Sequence, residues 1–177
     1  MVLILKITPD NSIRNQMSKY AFKVVLCGSS NAGKTSFIER ACNDRYLNGA
    51  AQATIGVDCA VKRMASAGKD PCILTLWDTA GQERYFSMGR GVFRGAHAVL
   101  ILYDTSDRNA FESLTTWYNF ANESILDDTP VYLIGNKCDA PMEVPKLAAT
   151  LWAKPRGIAY YDVSCKSGVG IEEAMQS

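Results

Sequence analysis

An octapeptide near the start of this chain predicts three consecutive structural elements. Residues 28–35 read GSSNAGKT, a complete G-x-x-x-x-G-K-[ST] pattern, and they follow the apolar run 22–27. In such a loop, successive backbone N–H groups surround a phosphate chain, and the next helix offers the positive end of its dipole. The pattern therefore predicts a strand, a phosphate-binding loop and a helix. It favours a nucleoside triphosphate as ligand and leaves the base and the reaction open.

Two side chains at the end of the octapeptide carry specific chemistry. Lys34 can place its ammonium group on the outer phosphates, and the Thr35 hydroxyl can ligate Mg²⁺. A glycine turn that only links a strand to a helix is the alternative, and the helix-like segment 35–41 disfavours it. The residues that we expect to contact phosphate are Ser30, Asn31, Ala32, Gly33, Lys34, Thr35 and Ser36.

A second motif, WDTAGQE at 77–83, follows an apolar strand predicted at 73–77. Asp78 is expected at the carboxyl end of that strand, where ligands of parallel sheets bind, and can hold the Mg²⁺ shell through water. Gly81 would let a backbone N–H approach the terminal phosphate, and Gln82 would orient a water for in-line attack. By itself Asp78 would equally suit an ordinary strand end, and the upstream loop favours the magnesium role.

A third motif, NKCD at 136–139, follows the apolar run 131–134 and bears on the base. A carboxylate at Asp139 matches the N1–H and N2–H₂ donors of guanine, whereas adenine has no donor at N1. A buried acceptor without its donor is costly, so the wrong base is rejected. The motif is weak alone, but in this order along the chain it indicates GTP. A P-loop ATPase or small kinase leaves it unexplained.

The remaining pattern predicts one α/β domain. Continuous apolar runs at 98–103 and 158–163 are typical of strands covered on both faces, and amphipathic segments alternate with the strands. The clearest helix has Ser106 or Asp107 as its cap. At 177 residues the chain suits a single doubly wound domain. The apolar stripe of the helix is predicted to consist of Phe111, Leu114, Tyr118, Ala121 and Ile125.

Composition excludes several classes of function. Lys and Arg number 19 against 18 Asp and Glu, so no nucleic-acid partner is expected. Six cysteines without close pairing, and His97 as a structural residue, predict free thiols rather than disulfides or a zinc site. No apolar run approaches the ~20 residues of a membrane span, and Lys6 interrupts the apolar start before a signal-peptide core is complete. We therefore expect an intracellular, cytoplasmic protein.

Over about 20–177 the chain resembles a small GTPase of the Ras superfamily, and most closely the Rab branch. The matches at branch level are TIGVD at 54–58, WDTAGQERY at 77–85 and RGAH at 94–97. This resemblance implies a P-loop G domain with a doubly wound, mostly parallel six-stranded sheet and helices on both faces. The regions 42–53 and 81–95 are then predicted as two long functional loops.

The resemblance also implies roles for single residues. Thr54 would reach Mg²⁺ through its hydroxyl and the γ-phosphate through its N–H, so the predicted metal ligands are Thr35, Thr54 and, through water, Asp78. Tyr46 would pack edge-on to the base, and Lys137 would lay its stem along the guanine face. The Cys165 N–H would meet the guanine oxygen. The residues expected around the base are Asn136, Lys137, Asp139, Ser164, Cys165 and Lys166.

By this resemblance the protein is a monomeric switch that binds GTP or GDP with Mg²⁺, hydrolyses GTP slowly and regulates vesicle traffic. Its expected partners are an exchange factor, a GTPase-activating protein and effectors. No internal arginine finger is evident, because Arg84 and Arg90 suit the surface of the second loop. The alternative is a guanine-nucleotide-binding interaction module with negligible hydrolysis.

Several positions depart from the family pattern. Asn31 stands where glycine or alanine is usual, and it tolerates a left-handed backbone better than most residues. One extra residue within 46–54 predicts a looser first switch loop. Of the aromatic triad that binds effectors in the Rab branch, only Trp77 remains, with Cys59 and Val92 at the other two positions. The identities of partners therefore do not carry over.

The two ends carry expectations of their own. Residues 1–19 have no clear periodicity and are predicted to be an unstructured arm or a remnant of cloning, with the domain over 20–177. The last helix is predicted to begin near Gly170 and has about two turns before Ser177, which is too short to cover its share of the sheet. No lipid-accepting cysteine follows Cys165, so we expect a truncated chain, or else a protein that works without prenylation.

Overall fold

A computed structural model describes residues 20–48, 54, 56–64, 71–81 and 86–176, with the backbone alone at 86–89. The strands in these ranges are β1 (Tyr20–Cys27), β2 (Val57–Met64), β3 (Cys72–Thr79), β4 (Ala98–Asp104), β5 (Val131–Asn136) and β6 (Ala159–Asp162). They form one sheet in the order β2-β3-β1-β4-β5-β6, in which β2 is antiparallel to β3 and all other neighbours are parallel. The predicted mostly parallel six-stranded sheet is confirmed.

Helices cover both faces of the sheet. The helices of the described ranges are α1 (Lys34–Asn43), α2 (Phe86–Phe93), α3 (Arg108–Glu112), α4 (Leu114–Asn122), α5 (Lys146–Ala153) and α6 (Ile171–Gln176), with a 3₁₀ turn at Lys154–Arg156. Side chains of α1 and α6 pack with Leu26 and Leu100 in one core, and side chains of α2 to α5 pack with Val25 and Val99 in the other. Successive strand residues point to opposite faces, so each strand contributes to both cores. This arrangement confirms the doubly wound fold class.

The direction of the strands determines where a site can form. The five strands β1, β3, β4, β5 and β6 are mutually parallel, so their carboxyl ends lie at the same edge of the sheet. Ligands of open α/β sheets bind outside this edge. The loop after β1, the end of β3 and the turn after β5 carry the three predicted motifs, and the fold brings them to this one edge.

The strand that sequence analysis did not name, β2, lies at the sheet border. Buried and exposed residues do not alternate regularly along it: Val57 is 41% exposed and Val61 60% exposed, while Met64 is buried. An edge strand with one covered side produces neither a continuous apolar run nor a clean alternation. The five strands named from the sequence all form, with one or both ends extended by one or two residues or, for β6, shortened by one at each end.

Two local predictions were wrong. The region 81–95 contains the helix α2, whose last residue, Phe93, is 1% exposed, so tertiary packing compensates for two glycines in the helix. The predicted helix along the apolar stripe is interrupted at Ser113, where the hydroxyl donates to the backbone carbonyl of Ala110 at 2.8 Å and competes with regular helix hydrogen bonding. Ile125 lies beyond the end of α4.

Of the two residues predicted as the cap of this helix, Ser106 and Asp107, the structure confirms Asp107. The Asp107 carboxylate accepts hydrogen bonds from the backbone N–H groups of Asn109 and Ala110 at 2.9 and 3.3 Å. Ser106 instead donates to the Asp104 carboxylate. Asp107 is therefore the N-cap of α3.

The cysteines and the single histidine have structural surroundings. All six cysteines are free thiols, as predicted, with Cys27, Cys72 and Cys165 buried and Cys59 exposed. His97 accepts a hydrogen bond from the backbone N–H of Lys23 at its Nδ1, at 3.0 Å. Over the described ranges, no three His, Cys, Asp or Glu side chains come together as metal ligands, and no helix is long and apolar enough to cross a bilayer.

A cavity of about 620 Å³ lies beside α6. Its wall includes Phe22 and Leu100 from the sheet and Met175 from the helix. This helix has six residues, and the expectation that the last helix is cut short stays a prediction. The predictions for residues 1–19 and for the first switch loop at 49–53 lie outside the described residues.

Candidate functional site

The loop 28–33 after β1 is shaped by close backbone approach. Gly33 has φ 89°, a left-handed conformation, and a β-carbon there would overlap the amide nitrogen of the Asn136 side chain. Asn31 also has a positive φ, 64°, as its residue type tolerates. Ser30 and Asn31 are exposed at the tip, Ala32 is buried, and Ser36 is half-buried in α1. The loop thus presents its backbone at the sheet edge immediately before a helix N-terminus.

Lys34 lies beneath this loop. Its side chain is 6% exposed, and its ammonium donates to the carbonyl oxygens of Gly28 and Ser29 at 2.8 and 2.9 Å. A β-carbon on Gly81 would lie 2.5 Å from the Lys34 ammonium and 2.6 Å from the backbone nitrogen of Ser30, so only glycine fits there. The predicted neighbours of the outer phosphates, Lys34 and Gly81, are therefore in contact distance of each other.

Three oxygen-bearing side chains from separate elements converge next to Lys34. The Thr35 and Thr54 hydroxyls donate to Oδ2 of Asp78 at 2.6 and 3.0 Å, and the two hydroxyl oxygens are 3.1 Å apart. The three residues come from α1, the first switch loop and β3, which are brought together by the sheet order. These are the three residues that sequence analysis predicted as metal ligands.

The Asp78 carboxylate is in an unusual state for a strand-end acid. It is 3% exposed, and burial raises its pKa above the ordinary value, an effect that the hydroxyl hydrogen bonds and the Lys34 charge only partly offset. Its Oδ1 is buried and has no hydrogen-bond partner among the described residues. A buried carboxylate oxygen without a partner, beside two hydroxyls, suits a hard cation with oxygen ligands such as Mg²⁺. The residues present therefore fit the ion that the sequence predicted.

Asn136 joins the third motif to the phosphate loop. It is 2% exposed, its amide group donates to the carbonyl oxygen of Ala32 at 2.9 Å, and its Oδ1 accepts from the backbone N–H of Cys165 at 3.2 Å. One buried side chain thus connects the loop after β1, the turn after β5 and the turn after β6. All three predicted motifs belong to one contiguous site.

Asp139 is oriented by the turn after β6. Its Oδ1 accepts a hydrogen bond from the Ser164 hydroxyl at 2.5 Å, and the same hydroxyl accepts from the backbone N–H of Ser167 at 3.0 Å. The Lys166 ammonium is 4.0 Å from Oδ2 of Asp139. The carboxylate therefore has a fixed orientation, with one oxygen held by the turn and the other at the edge of contact with an exposed ammonium, which suits recognition of adjacent N–H donors.

Lys137 is held by a residue that sequence analysis missed. Its ammonium donates to Oδ2 of Asp104 at 2.6 Å, and its backbone has φ 66°. Burial alone would raise the pKa of Asp104, but hydrogen bonds from Lys137 and Ser106 outweigh burial and hold the pKa below its usual range. Asp104 is the last residue of β4, just as Asp78 lies near the end of β3. The position of Asp104 at the end of an apolar strand is the feature of the sequence that could have identified it as a site residue.

Replacing Asp104 with asparagine is expected to destabilise the protein in a pH-dependent way. Because the pKa is lower in the folded than in the unfolded state, the carboxylate stabilises the fold above its unfolded pKa of about 3.9, and this stabilisation is lost as pH falls through the folded pKa. Chemical unfolding should give a loss of about 1–3 kcal/mol at pH 7 that shrinks below pH 4. Asp127→Asn, at an exposed aspartate, is the control. An equal loss at both pH values would contradict this assignment.

The roles of two further predicted residues stay predictions. Tyr46 is 38% exposed, and its predicted contact with the base stays a prediction. Gln82 lies outside the described residues, as does Arg84. Arg90 pairs instead with Glu123 at 2.8 Å on the exposed surface, so it is committed to α4 rather than to the sheet edge.

Comparisons with known proteins agree with this arrangement. The Ras family model matches residues 23–177. Ras-related protein Rab-13 of Bos taurus is 35% identical over 160 residues, which cover 89% of this chain and 78% of that protein. GTP-binding protein YPTM1 of Zea mays is 35% identical over 157 residues, which cover 88% of this chain and 74% of that protein.

Another relative is much longer. EF-hand calcium-binding domain-containing protein 4B of Homo sapiens is 39% identical over 156 residues, which are 87% of this chain and 21% of that protein. The chain thus spans about a fifth of that relative and about three quarters of the two others. With a family model matching nearly the whole chain, the chain belongs to the Ras family and is a Rab-like small GTPase.

Proposed function

We propose that this Rab-like GTPase is a molecular switch that binds GTP and GDP with Mg²⁺ and hydrolyses GTP slowly to GDP and phosphate. The observation that carries the proposal is the meeting of Thr35, Thr54 and Asp78 beside the buried Lys34 ammonium. Asn136 links this cluster to the base motif. A charged phosphate end and a base-reading end within one site support a guanine nucleotide as the ligand.

Each residue of the site has a proposed task in binding. The loop backbone from Ser30 to Ser36 surrounds the phosphates, and Lys34 places positive charge on the outer ones. Thr35 and Thr54 would hold Mg²⁺ directly, with Asp78 acting through water. When bound, the ion neutralises charge on the outer phosphates and on the leaving group. Asp139 would read the guanine donors. The Cys165 N–H, which donates to Asn136 at 3.2 Å, would also meet the guanine oxygen.

The proposed hydrolysis depends on positioning. The backbone N–H of Gly81 would donate to the γ-phosphate, and the Gln82 side chain would orient the attacking water in line with the leaving oxygen. Arg90 is paired with Glu123 on the exposed surface, and the charge that develops in the transition state would be stabilised by a group from a partner. A GTPase-activating protein that adds such a group would raise the rate by about 10³–10⁵.

The wider role that we propose is control of vesicle and membrane traffic by a monomer that cycles between the cytoplasm and intracellular membranes. An exchange factor, an activating protein and effectors would be its partners. The effector face differs from the usual aromatic one, because Cys59 and Val92 stand at two of its three aromatic positions. Cys59 is exposed and Val92 is partly buried. Trp77 remains, with the Lys23 ammonium 4.6 Å from its ring centre. Effectors that suit a less aromatic surface are therefore expected.

The test begins with the nucleotide that the purified protein releases on denaturation, followed by single-turnover hydrolysis of GTP. Guanine nucleotide should be released in stoichiometric amount, whereas ATP or ADP would end the guanine assignment. In Gln82→Leu the hydrolysis rate should fall roughly tenfold, because one hydrogen bond to the attacking water, worth about 1–1.5 kcal/mol, is lost. Gln176→Leu, at a glutamine on α6, is the matched control.

The same measurement decides the second candidate, a guanine-nucleotide-binding module with negligible turnover. The exposed Asn31 at the tip of the phosphate loop favours that candidate, because glycine or alanine is usual there in the family that the chain resembles. Equal, very slow decay of GTP in the wild type and in Gln82→Leu, even with a cell extract that supplies activators, would support the binding module.

A further inference from the structure

Arg40, in the last turn of α1, makes contacts that the binding roles above do not use. Its side chain is 15% exposed. The guanidinium Nε donates to the carbonyl oxygen of Cys165 at 2.9 Å, and Nη2 donates to the carbonyl oxygen of Lys166 at 2.9 Å. Its third nitrogen, Nη1, donates to the backbone oxygen and the carboxylate of Asp44 at 3.0 and 2.9 Å. One planar side chain thus holds two successive carbonyl groups of the turn after β6.

These two hydrogen bonds fix the direction of the peptide groups in the turn. A trans peptide is planar, so its carbonyl and its N–H point in opposite directions. When Arg40 holds the carbonyl oxygen of Cys165, the N–H of Lys166 in the same peptide must point away from α1. When it holds the carbonyl oxygen of Lys166, the N–H of Ser167 is directed likewise, and that group donates to the Ser164 hydroxyl.

The orientation of the turn also affects Asp139, the carboxylate predicted to bind guanine. The Ser164 hydroxyl, which accepts from Ser167, donates to Asp139 at 2.5 Å. The chain of contacts therefore runs from the Arg40 guanidinium through the turn to the carboxylate that is matched to guanine. A rigid guanidinium fork loses little freedom for each hydrogen bond that it forms, which suits it to hold a turn in one geometry.

We propose that Arg40 is a positioning residue for guanine recognition, which sets the geometry of the turn at 164–167 and ties that turn to the C-cap of α1. The proposal rests on the proposed function, since it assigns a source of selectivity to the same site. Arg40 touches neither the base nor the phosphates in this role. It acts by fixing the two peptide groups that follow Cys165, the residue whose own N–H is predicted to meet the guanine oxygen, and through the Ser164 contact with Asp139.

The exposed ion pair on the far side of Arg40 provides a matched control. Asp44 is 93% exposed at its side chain, so its attraction to Arg40 is screened by solvent. Asp44 has a left-handed backbone, with φ 48°, which asparagine tolerates. Replacing Asp44 with asparagine therefore removes the ion pair and leaves both hydrogen bonds from Arg40 to the turn available. A variant at Arg40 and a variant at Asp44 therefore separate the turn contacts from the charge pair.

The test compares two ligands in each variant: GDP, and the diphosphate of 2-aminopurine riboside, which lacks both the oxygen at position 6 and the proton on N1. Arg40→Gln should release GDP about tenfold faster, as expected for weakening one charge-assisted hydrogen bond, with little change for the analogue. The preference for GDP over the analogue then falls by the same factor. Arg40→Lys, which keeps the charge and can hold one carbonyl, should give a smaller loss, and Asp44→Asn should keep the full preference.

Each other outcome has a definite meaning. Equal acceleration for both ligands would make Arg40 a general structural residue and overturn the proposal, as would no change for either. Thermal unfolding with GDP bound checks that each variant is folded. If Arg40→Gln does not fold, the release rates of the two ligands from Arg40→Lys decide the question. A wild-type protein that binds neither ligand, or binds both equally, would overturn the proposed function together with this inference. A wild-type protein that prefers GDP, with variants that prefer GDP to the same degree, would overturn this inference alone.

Discussion

Replacing Asp139 with alanine is expected to weaken GDP binding by about 10²–10⁴-fold. The carboxylate would accept two hydrogen bonds from guanine, and each bond to a charged group contributes about 1.5–3 kcal/mol. The loss should be the same for GDP and GMP, because the change is at the base and the phosphates are not involved. Equilibrium competition against a fluorescent guanine nucleotide measures both affinities.

Two controls separate base recognition from damage to the fold. Asp127→Ala removes an equally charged side chain from an exposed turn and should leave binding unchanged. Ser164→Ala removes the hydroxyl that orients Asp139 but keeps the carboxylate, so a smaller loss is expected. An Asp139→Ala protein that binds GDP within about threefold of the wild type, less than one hydrogen bond to a charged group contributes, would contradict the guanine assignment.

Much of the fold could be predicted because its central strands are buried on both faces. Strands such as β4, in which Val99 to Tyr103 are buried almost completely, appear in the sequence as continuous apolar runs. The site motifs follow three of these strands directly, and strand direction alone then brings them to one edge. Local sequence and topology are enough for that conclusion, without knowledge of side-chain packing.

Features that depend on packing between distant residues could not be predicted. The break at Ser113 coincides with a contact of its hydroxyl with that of Ser29 at 2.8 Å, and these residues are 84 positions apart. The buried Trp117 and Phe120 widen the core face of α4 beyond the stripe named from the sequence. Arg40 binds carbonyl groups more than 120 positions away, and a charged residue on a helix gives no local sign of such a partner.

Replacing Lys34 with alanine is the complementary test at the phosphate end of the site. Truncating one partner of a buried, hydrogen-bonded charge pair costs about 2–5 kcal/mol, so GDP affinity should fall roughly 30- to 5,000-fold. The ammonium group is expected on the outer phosphates, which GMP lacks, so GMP affinity should change little. Lys154→Ala, at an exposed lysine, removes the same charge far from the site and should leave both affinities unchanged.

Comparing GDP with GMP distinguishes phosphate binding from a general effect on the loop. Lys34 donates to the carbonyl oxygens of Gly28 and Ser29, so its loss also removes two hydrogen bonds within the loop. If those bonds were its main contribution, GDP and GMP would weaken by the same factor, since both need the folded loop. A loss confined to GDP in Lys34→Ala, set beside an equal loss for both ligands in Asp139→Ala, would assign the two ends of the nucleotide to the two ends of the site.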